Sequence, residues 1–198
     1  KTKKEVYSTN DGTSKLQYQM VVWSPDSSRF VTQKNTIGQR RKITIVESSP
    51  KDQLQPKLHT FRYDKPGDVL DQFQPIIIYV DGSEPMVADH AFISNHFKLA
   101  DYKWRGHNQL TFRYVERGFG KNNVILMDAE KRSQKVLIRE ESDTFVHEGA
   151  RFRHDLESSS EIIWKSERDG WDHLYLFDAN TGKVKNQITK ELQYEIYN

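Results

Sequence analysis

The chain contains no cysteine among its 198 residues. Disulfide bridges, zinc–thiolate sites and thiol nucleophiles are therefore excluded, and the redox compartment is left undetermined. Long apolar runs are also missing, since the longest one covers only Ile76–Val80. A membrane-spanning helix needs about 18 or more consecutive apolar residues, so we expect no membrane span in this segment.

The chain also lacks an excess of charge of one sign. Its 30 lysines and arginines are balanced by 28 carboxylates, which leaves a net charge of +2. Such a balance provides no broad basic field, so we expect no nucleic acid partner. Only 35% of the residues are hydrophobic, but 12% are aromatic, and disordered chains are poor in aromatic residues. These values predict a folded chain whose apolar residues form several thin cores.

The periodicity of an amphipathic helix is absent from every window of 11 residues, and short β segments dominate instead. Each has four to six residues, is rich in β-branched and aromatic side chains, and is bounded by polar turn residues. The segments are Arg29–Gln33, Lys42–Val46, Leu58–Tyr63, Pro75–Val80, Leu110–Val115, Asn123–Met127, Lys135–Ile138, Glu161–Trp164 and His173–Phe177. The stretch from Asp89 to Leu99 predicts a loop with one turn of helix. The expected fold class is all-β.

An internal repeat indicates how the strands are grouped. Residues 123–140 align without gaps to residues 173–190, which places Asp128-Ala129 on Asp178-Ala179. A β repeat of about 40–50 residues is typical of propeller blades. We therefore predict a partial β-propeller of three to four antiparallel blades, at roughly 20–88, 101–141 and 152–191. Because propellers close with about four to eight blades, we interpret the whole of 1–198 as part of a larger propeller domain.

Three phrases carry a resemblance to a known family. Trp23–Val31 is a blade entry common to many propellers, whereas Lys57–Asp68 and Trp164–Asp178 are more specific. Both resemble phrases in the N-terminal propeller of dipeptidyl peptidase IV and related serine peptidases of the prolyl oligopeptidase type. The resemblance covers about Met20 to Ile188. It implies an eight-bladed propeller followed by an α/β-hydrolase domain, which together enclose a cavity where dipeptides are removed from peptide N-termini.

The features of that family's catalytic domain are not found in these residues. The chain has no Gly-x-Ser-x-Gly nucleophile elbow and no alternation of strands with helices, so we expect no catalytic residue, no cofactor and no activity of this chain alone. The family also binds the substrate amino group with adjacent glutamates just before the Trp-Ser-Pro strand. No such pair occurs in Ser8–Gln19, so either the pair lies upstream of Lys1 or this branch differs in how it holds the substrate. We interpret Glu140-Glu141 as a solvated turn.

Phe145, His147 and Glu148 are the candidate peptide-contact residues, because the family carries a loop facing the substrate cavity at this place. The alternative is a connecting loop whose Phe145 closes a blade. The seven histidines form no ligand spacing typical of a metal site, so we expect no metal. We interpret Glu167–Trp171 as a charged hairpin turn in which Trp171 packs between blades.

The resemblance predicts a non-catalytic propeller portion that gates and orients peptides for a C-terminal hydrolase domain of the same chain. The alternative is a free-standing propeller that acts as a protein- or peptide-binding scaffold. A secreted enzyme of this kind would be periplasmic or extracellular. An incomplete propeller leaves unpaired strand edges, so we also expect a homo-oligomer.

Overall fold

The computed structural model describes residues 9–148 and 152–190. Fourteen short strands account for about half of this part, and helix is confined to α1 (His90–Ile93) and a 3-10 turn at Glu157–Ser159. The strands are β1 (Leu16–Trp23), β2 (Arg29–Thr36), β3 (Lys42–Glu47), β4 (Lys57–Arg62), β5 (Gln72–Tyr79), β6 (Met86–Val87), β7 (His96–Arg105), β8 (Gln109–Glu116), β9 (Asn122–Asp128), β10 (Ser133–Ile138), β11 (Arg153–Leu156), β12 (Glu161–Ser166), β13 (His173–Asp178) and β14 (Val184–Gln187). The all-β prediction is confirmed.

The strands form three four-stranded sheets and one separate hairpin. The sheet orders are β1-β2-β5-β6, β10-β9-β8-β7 and β11-β12-β13-β14, and β3 pairs only with β4 among the described strands. Every pairing whose register is resolved is antiparallel. Because neighbouring strands in each sheet follow one another along the chain, apart from the inserted hairpin, each sheet is one up-and-down propeller blade. The structure is therefore the predicted partial propeller.

The chain divides into two compact units. The first contains the segment that ends at Gln19 together with Gln33–Phe73, and it includes the β3–β4 hairpin. The second contains Met20–Thr32 and the chain from Gln74 onward, and it includes the whole of the second and third blades. The candidate peptide-contact residues belong to the second unit.

The two Asp-Ala repeats perform the same task in consecutive blades. Asp128 ends β9, and its carboxylate accepts hydrogen bonds from the backbone N–H groups of the next turn at 2.9 and 3.2 Å. Asp178 ends β13 and accepts the equivalent bonds at 2.7 and 3.0 Å. A short carboxylate is suited to this role because it reaches its own backbone two or three residues on. Ala129 and Ala179 are both buried.

The second and third blades share a packed core. Leu126 and Leu137 of the second blade join Trp164, Tyr175 and Phe177 of the third in one cluster of buried side chains. Trp164 is the largest fully buried side chain among the described residues. Burial of a side chain of this size contributes about 1.5–3 kcal/mol, so this cluster holds the two blades together.

The region around α1 corrects one expectation. The predicted turn of helix is present, with Asp89 as its N-cap: its Oδ1 accepts from the backbone N–H of Ala91 at 2.9 Å. The loop predicted to continue to Leu99 is wrong, however, because β7 already begins at His96. This strand is the edge of its blade and carries many polar residues, so its sequence does not show a strand pattern. None of the described helices has the length or the apolar character needed to cross a membrane.

Candidate peptide-contact site

The connection that leaves β10 holds the candidate residues, and its backbone is tied to the turn between β8 and β9. The N–H of Ser142 donates to the carbonyl of Gly120 at 3.0 Å, and the N–H of Val146 donates to that of Phe119 at 2.7 Å. The Val146 side chain is buried. This part of the connection, which is described as far as Glu148, therefore has a defined position against the second blade.

Glu140 corrects the interpretation of Glu140-Glu141 as a solvated turn. Only 5% of Glu140 is exposed, and its Oε1 accepts from the hydroxyl of Ser166 at 2.9 Å and from the backbone N–H of Glu167 at 3.2 Å. Its Oε2 accepts from Nε1 of Trp164 at 3.3 Å and pairs with Arg168 at 3.4 Å. The carboxylate of the second blade is thus the acceptor for four donors of the third.

Glu141, the second member of the pair, behaves as expected for an exposed side chain. Its Oε1 accepts from Nδ2 of Asn123 at 2.9 Å and pairs with Arg139 at 3.0 Å. The two adjacent glutamates therefore have different roles: the first closes the contact between blades and the second lies at the surface. The burial arises because successive residues leaving an extended strand point in opposite directions.

The turn between β12 and β13 forms the facing wall. The guanidinium of Arg168 lies 5.0 Å from the ring centre of Tyr175 and 4.9 Å from that of Phe177, and its Nε donates to the hydroxyl of Ser166 at 2.8 Å. Gly170 adopts φ 96°, a backbone conformation that glycine takes without steric cost. Burial raises the pKa of Tyr175 to about 12, so this phenol is neutral in solution.

Trp171, at the end of the same turn, corrects a further expectation. It was predicted to pack between blades, but 43% of its surface is exposed. The buried tryptophan of this region is Trp164, whose indole occupies the contact between blades. Trp171 instead lines the groove beside this turn and remains partly exposed to solvent.

A cavity of about 640 Å³ lies between the connection and this turn. It is open to solvent, and Phe145 and Trp171 border it with exposed aromatic surface. Charged groups of both signs lie along its length. The full lining is Arg139, Glu140, Glu141, Ser142, Thr144, Phe145, Val146, Glu167, Arg168, Gly170, Trp171 and Asp172. A groove with apolar rims and a polar floor can hold a short extended chain by its side chains and its backbone.

The three candidate residues take different positions. Phe145 lines the cavity, is 53% exposed and lies 5.8 Å from the ring of Phe119. The exposed ring of His147 stacks on Phe145 at 6.4 Å but does not line the cavity. The ring of Phe97 extends the same cluster, 5.0 Å from Phe119. The structure therefore brings Phe145 and His147 together, but only Phe145 lines the groove.

Glu148 points to other partners. Its Oε1 pairs with Nζ of Lys98 at 3.0 Å and with Nη1 of Arg113 at 3.1 Å. Burial acts to raise the pKa of Glu148, but these two cations outweigh it and hold that pKa below its usual range. The carboxylate is thus ionised and already compensated, and it lies outside the lining of the groove.

One cluster at the edge of the groove has side chains that metal ions accept. Ligand atoms of His147, Glu167 and Asp172 lie within 4.8 Å of one another. Asp172 is also paired with the buried Lys165 at 3.2 Å, and a metal ion would compete with this ammonium for the carboxylate. The cluster is therefore a poor match for a metal, and the absence of a metal site stays a prediction.

Sequence reasoning missed Arg113, which pairs with Glu148, and Arg168, which pairs with Glu140 beside the groove. The signal for Arg113 was a charge within the apolar β8 strand: the side chain is buried there and reaches Glu148. No comparable signal marked Arg168, because a charged turn between strands is ordinarily solvated. Its role depends on aromatic rings of β13 and on a carboxylate of the other blade.

Similar solved structures support the same fold. The chain resembles dipeptidyl peptidase 4 of Porphyromonas gingivalis with a TM-score of 0.69 and 16% identity, covering 95% of this chain and 28% of that one. It resembles a putative dipeptidyl aminopeptidase IV of Bacteroides ovatus with a TM-score of 0.66 and 17% identity, covering 93% and 30%. The chain thus spans less than a third of the length of these proteins.

The family assignment rests on a match over most of the chain. Residues 17–196 match the family described as the dipeptidyl peptidase IV (DPP IV) N-terminal region. This range includes the three phrases on which the resemblance was based, all of the three four-stranded blades except Leu16 at the start of β1, and the groove beside Phe145. The chain therefore belongs to the dipeptidyl peptidase IV N-terminal region family.

Proposed function

We propose that this chain is the non-catalytic propeller portion of a dipeptidyl peptidase IV-like serine peptidase. It gates and orients peptides whose N-terminal dipeptides are removed by a hydrolase domain of the parent protein. The family match over residues 17–196 supports this proposal, as does the likeness to two much longer proteins with dipeptidyl peptidase names. The proposal also places the parent protein in the periplasm or outside the cell.

The exposed ring of Phe145 at the rim of the groove is the observation that carries the proposed peptide contact. An aromatic ring that is half exposed, beside a floor of carboxylates and guanidinium groups, provides an apolar contact next to hydrogen-bonding groups. A peptide N-terminus needs both, since it offers an ammonium group, amide groups and small apolar side chains. Glu148 takes no direct part in this proposal because Lys98 and Arg113 already compensate its charge.

The test measures by calorimetry how tightly the 198-residue chain binds a tripeptide that has a free N-terminus and proline in the second position. We expect F145A to weaken binding about tenfold, which corresponds to about 1.4 kcal/mol of lost contact. The control is F97A, because Phe97 is exposed to a similar degree in the same aromatic cluster but does not line the groove.

The same pair of variants separates the two interpretations of Phe145. If the residue only closes a blade, F145A lowers the unfolding temperature and leaves peptide affinity equal to that of F97A. That result would overturn the proposed contact. A parent protein without a hydrolase domain would instead favour the free-standing scaffold.

We also propose that the chain self-associates. The β3–β4 hairpin supports this proposal, because its exposed apolar residues include Leu58 and Val46, which are 71% and 61% exposed. Apolar surface of this kind on a two-stranded sheet favours pairing with another chain. Light scattering over a range of concentrations tests it, and a monomer mass throughout that range would contradict it.

A further inference from the structure

The charged groups along the floor of the groove beside Phe145 are already compensated within the chain. Glu140 is the acceptor for four donors of the third blade. Glu141 pairs with Arg139 at 3.0 Å and accepts from Nδ2 of Asn123 at 2.9 Å. A charged side chain of a ligand would have to compete with these partners, so the two carboxylates give the groove little preference for charge.

The other charged groups of the lining also have partners. Arg168 pairs with Glu140 at 3.4 Å, and its guanidinium lies over two aromatic rings of β13. Asp172 pairs with Lys165 at 3.2 Å, and only 7% and 1% of these two side chains are exposed. Glu167 is not free either. Removal of one partner from a buried ion pair is strongly unfavourable, so a charged ligand side chain gains little by displacing any of them.

Two aromatic rings form the exposed apolar surface of the groove. Phe145 borders the groove from the connection that leaves β10, and Trp171 borders it from the turn between β12 and β13. Their exposed fractions are 53% and 43%, whereas the lining residue Val146 is buried. Because the two rings belong to opposite walls, one apolar side chain in the groove can contact both.

The turn that carries Trp171 is closed by its own hydrogen bonds. The N–H of Gly170 donates to the carbonyl of Glu167 at 2.8 Å, and the N–H of Trp171 donates to Oδ1 of Asp169 at 3.3 Å. Oδ2 of Asp169 accepts from Nε2 of Gln187, at the end of β14, at 2.7 Å. The indole is therefore attached to a backbone with a defined conformation. A ligand that packs on this ring orders little of the protein, which favours binding.

Size and chemistry favour a large apolar side chain as the occupant. The volume of about 640 Å³ lies within the range of about 300–1,000 Å³ that is common for small-molecule sites. Burial of an apolar side chain is favourable in proportion to the area removed from water, and it displaces no charged partner. An aromatic side chain gains more, because paired rings attract each other beyond this burial. Glycine offers no side chain for either contact.

We propose that Trp171 determines the specificity of the groove, and that the preferred peptides carry a large apolar side chain on their N-terminal residue. This side chain lies between the rings of Trp171 and Phe145. The N-terminal residue is assigned because the peptide contact proposed for Phe145 is with a peptide N-terminus. This specificity rests on that proposed contact and adds to it the class of peptide that is bound.

Calorimetry with the 198-residue chain and four tripeptides tests this specificity. The peptides have proline second and alanine third, and they differ only in the first residue, which is phenylalanine, leucine, glycine or aspartate. We expect the phenylalanine and leucine peptides to bind at least about tenfold more tightly than the other two. Equal affinities for all four peptides, with F145A still weaker than the wild type, would overturn the specificity but not the contact at Phe145. No measurable binding of any peptide would overturn both.

Substitution of Trp171 separates its role from that of Phe145. W171A should reduce the preference for the phenylalanine peptide over the glycine peptide to about twofold or less, whereas W171F keeps an aromatic ring and should retain most of it. W23A is the matched control, because Trp23 is 51% exposed but does not line the groove, and it should leave the preference unchanged. An unchanged preference in W171A, with the variant folded by circular dichroism, would overturn the role of Trp171.

Tryptophan fluorescence locates the contact independently of affinity. Binding of the phenylalanine peptide covers an exposed indole, so the emission of the wild-type chain should shift to shorter wavelength. The shift should persist in W23F and be lost in W171F, which still binds the peptide. A shift that persists in W171F would place the bound side chain elsewhere and overturn the proposal.

Discussion

Replacement of Glu140 by glutamine tests whether the contact between the second and third blades depends on one buried carboxylate. E140Q keeps the size of the side chain but replaces one acceptor oxygen by an NH₂ group. Two of the four donors from Trp164, Ser166, Glu167 and Arg168 would then face a donor. The negative charge that pairs with Arg168 would be lost as well.

The magnitude follows from these contacts. A hydrogen bond to a charged group contributes about 1.5–3 kcal/mol, and removal of one partner of a buried ion pair costs about 3–5 kcal/mol. The side chain of Arg168 is 31% exposed, so the lower end of these ranges applies. We expect E140Q to lower the free energy of unfolding by about 3 kcal/mol. For a chain of this length that equals a decrease in Tm of about 6–12 °C.

Urea unfolding followed by tryptophan fluorescence measures this loss, since Trp164 lies within the contact. E141Q is the matched control, because Glu141 is the exposed neighbour, its ion pair with Arg139 contributes about 0–1 kcal/mol, and glutamine keeps an oxygen that can accept from Asn123. Equal free energies of unfolding for E140Q and E141Q would refute the reasoning and restore the interpretation of both residues as a solvated turn.

Two further predictions concern turns. G182A should lower the free energy of unfolding by about 3 kcal/mol, because Gly182 has φ 75° and a Cβ there would collide with the carbonyl of Leu137. The control G118A should lower it by only about 1 kcal/mol, because Gly118 has φ 99° but open space around the added Cβ. Equal decreases in Tm for the two variants would contradict this difference. Two serine hydroxyls hold the pKa of Asp26 far below its usual range. The stabilisation from this lowered pKa is present above the carboxyl pKa of the unfolded chain, about 3.9, and is lost as the pH falls below it. D26N should therefore make Tm less dependent on pH between 5 and 2. If Tm of D26N falls with decreasing pH as steeply as Tm of the wild type, Asp26 does not contribute.

Sequence reasoning identified every strand in the middle of a four-stranded sheet, together with the edge strand β10 and the two hairpin strands β3 and β4. Apolar runs such as Leu110–Val115 and Glu161–Trp164 correspond to β8 and β12, which have a neighbouring strand on both sides. The missed strands β1, β6, β7, β11 and β14 are all edges of four-stranded sheets in the described chain. An edge strand has a neighbouring strand on one side only, so more of its residues face solvent. Accordingly, β7 contains His, Lys, Asp and Arg and shows no simple alternation of apolar and polar residues.

The candidate site could be predicted only in part for a similar reason. The position of Phe145 beside an open groove follows from a loop that precedes β11, and the sequence identified that loop. The burial of Glu140 could not be predicted, because its donors come from β12 and the following turn, about 25 residues farther along the chain. Adjacent charged residues after a strand are ordinarily solvated, and here one of them is buried only because the next blade packs against it.

By itself, the sequence determined the class of the fold, the blade repeat and the family, because these depend on local features: strand propensity, turn residues and short phrases repeated at a fixed spacing. The tertiary structure decided which charges are buried, which of Trp164 and Trp171 enters the core, and that β3 pairs only with β4 among the described strands. Those properties depend on contacts between residues far apart in the chain. Adjacent side chains on a strand face opposite directions, so one residue can lie in the core while its neighbour remains in water.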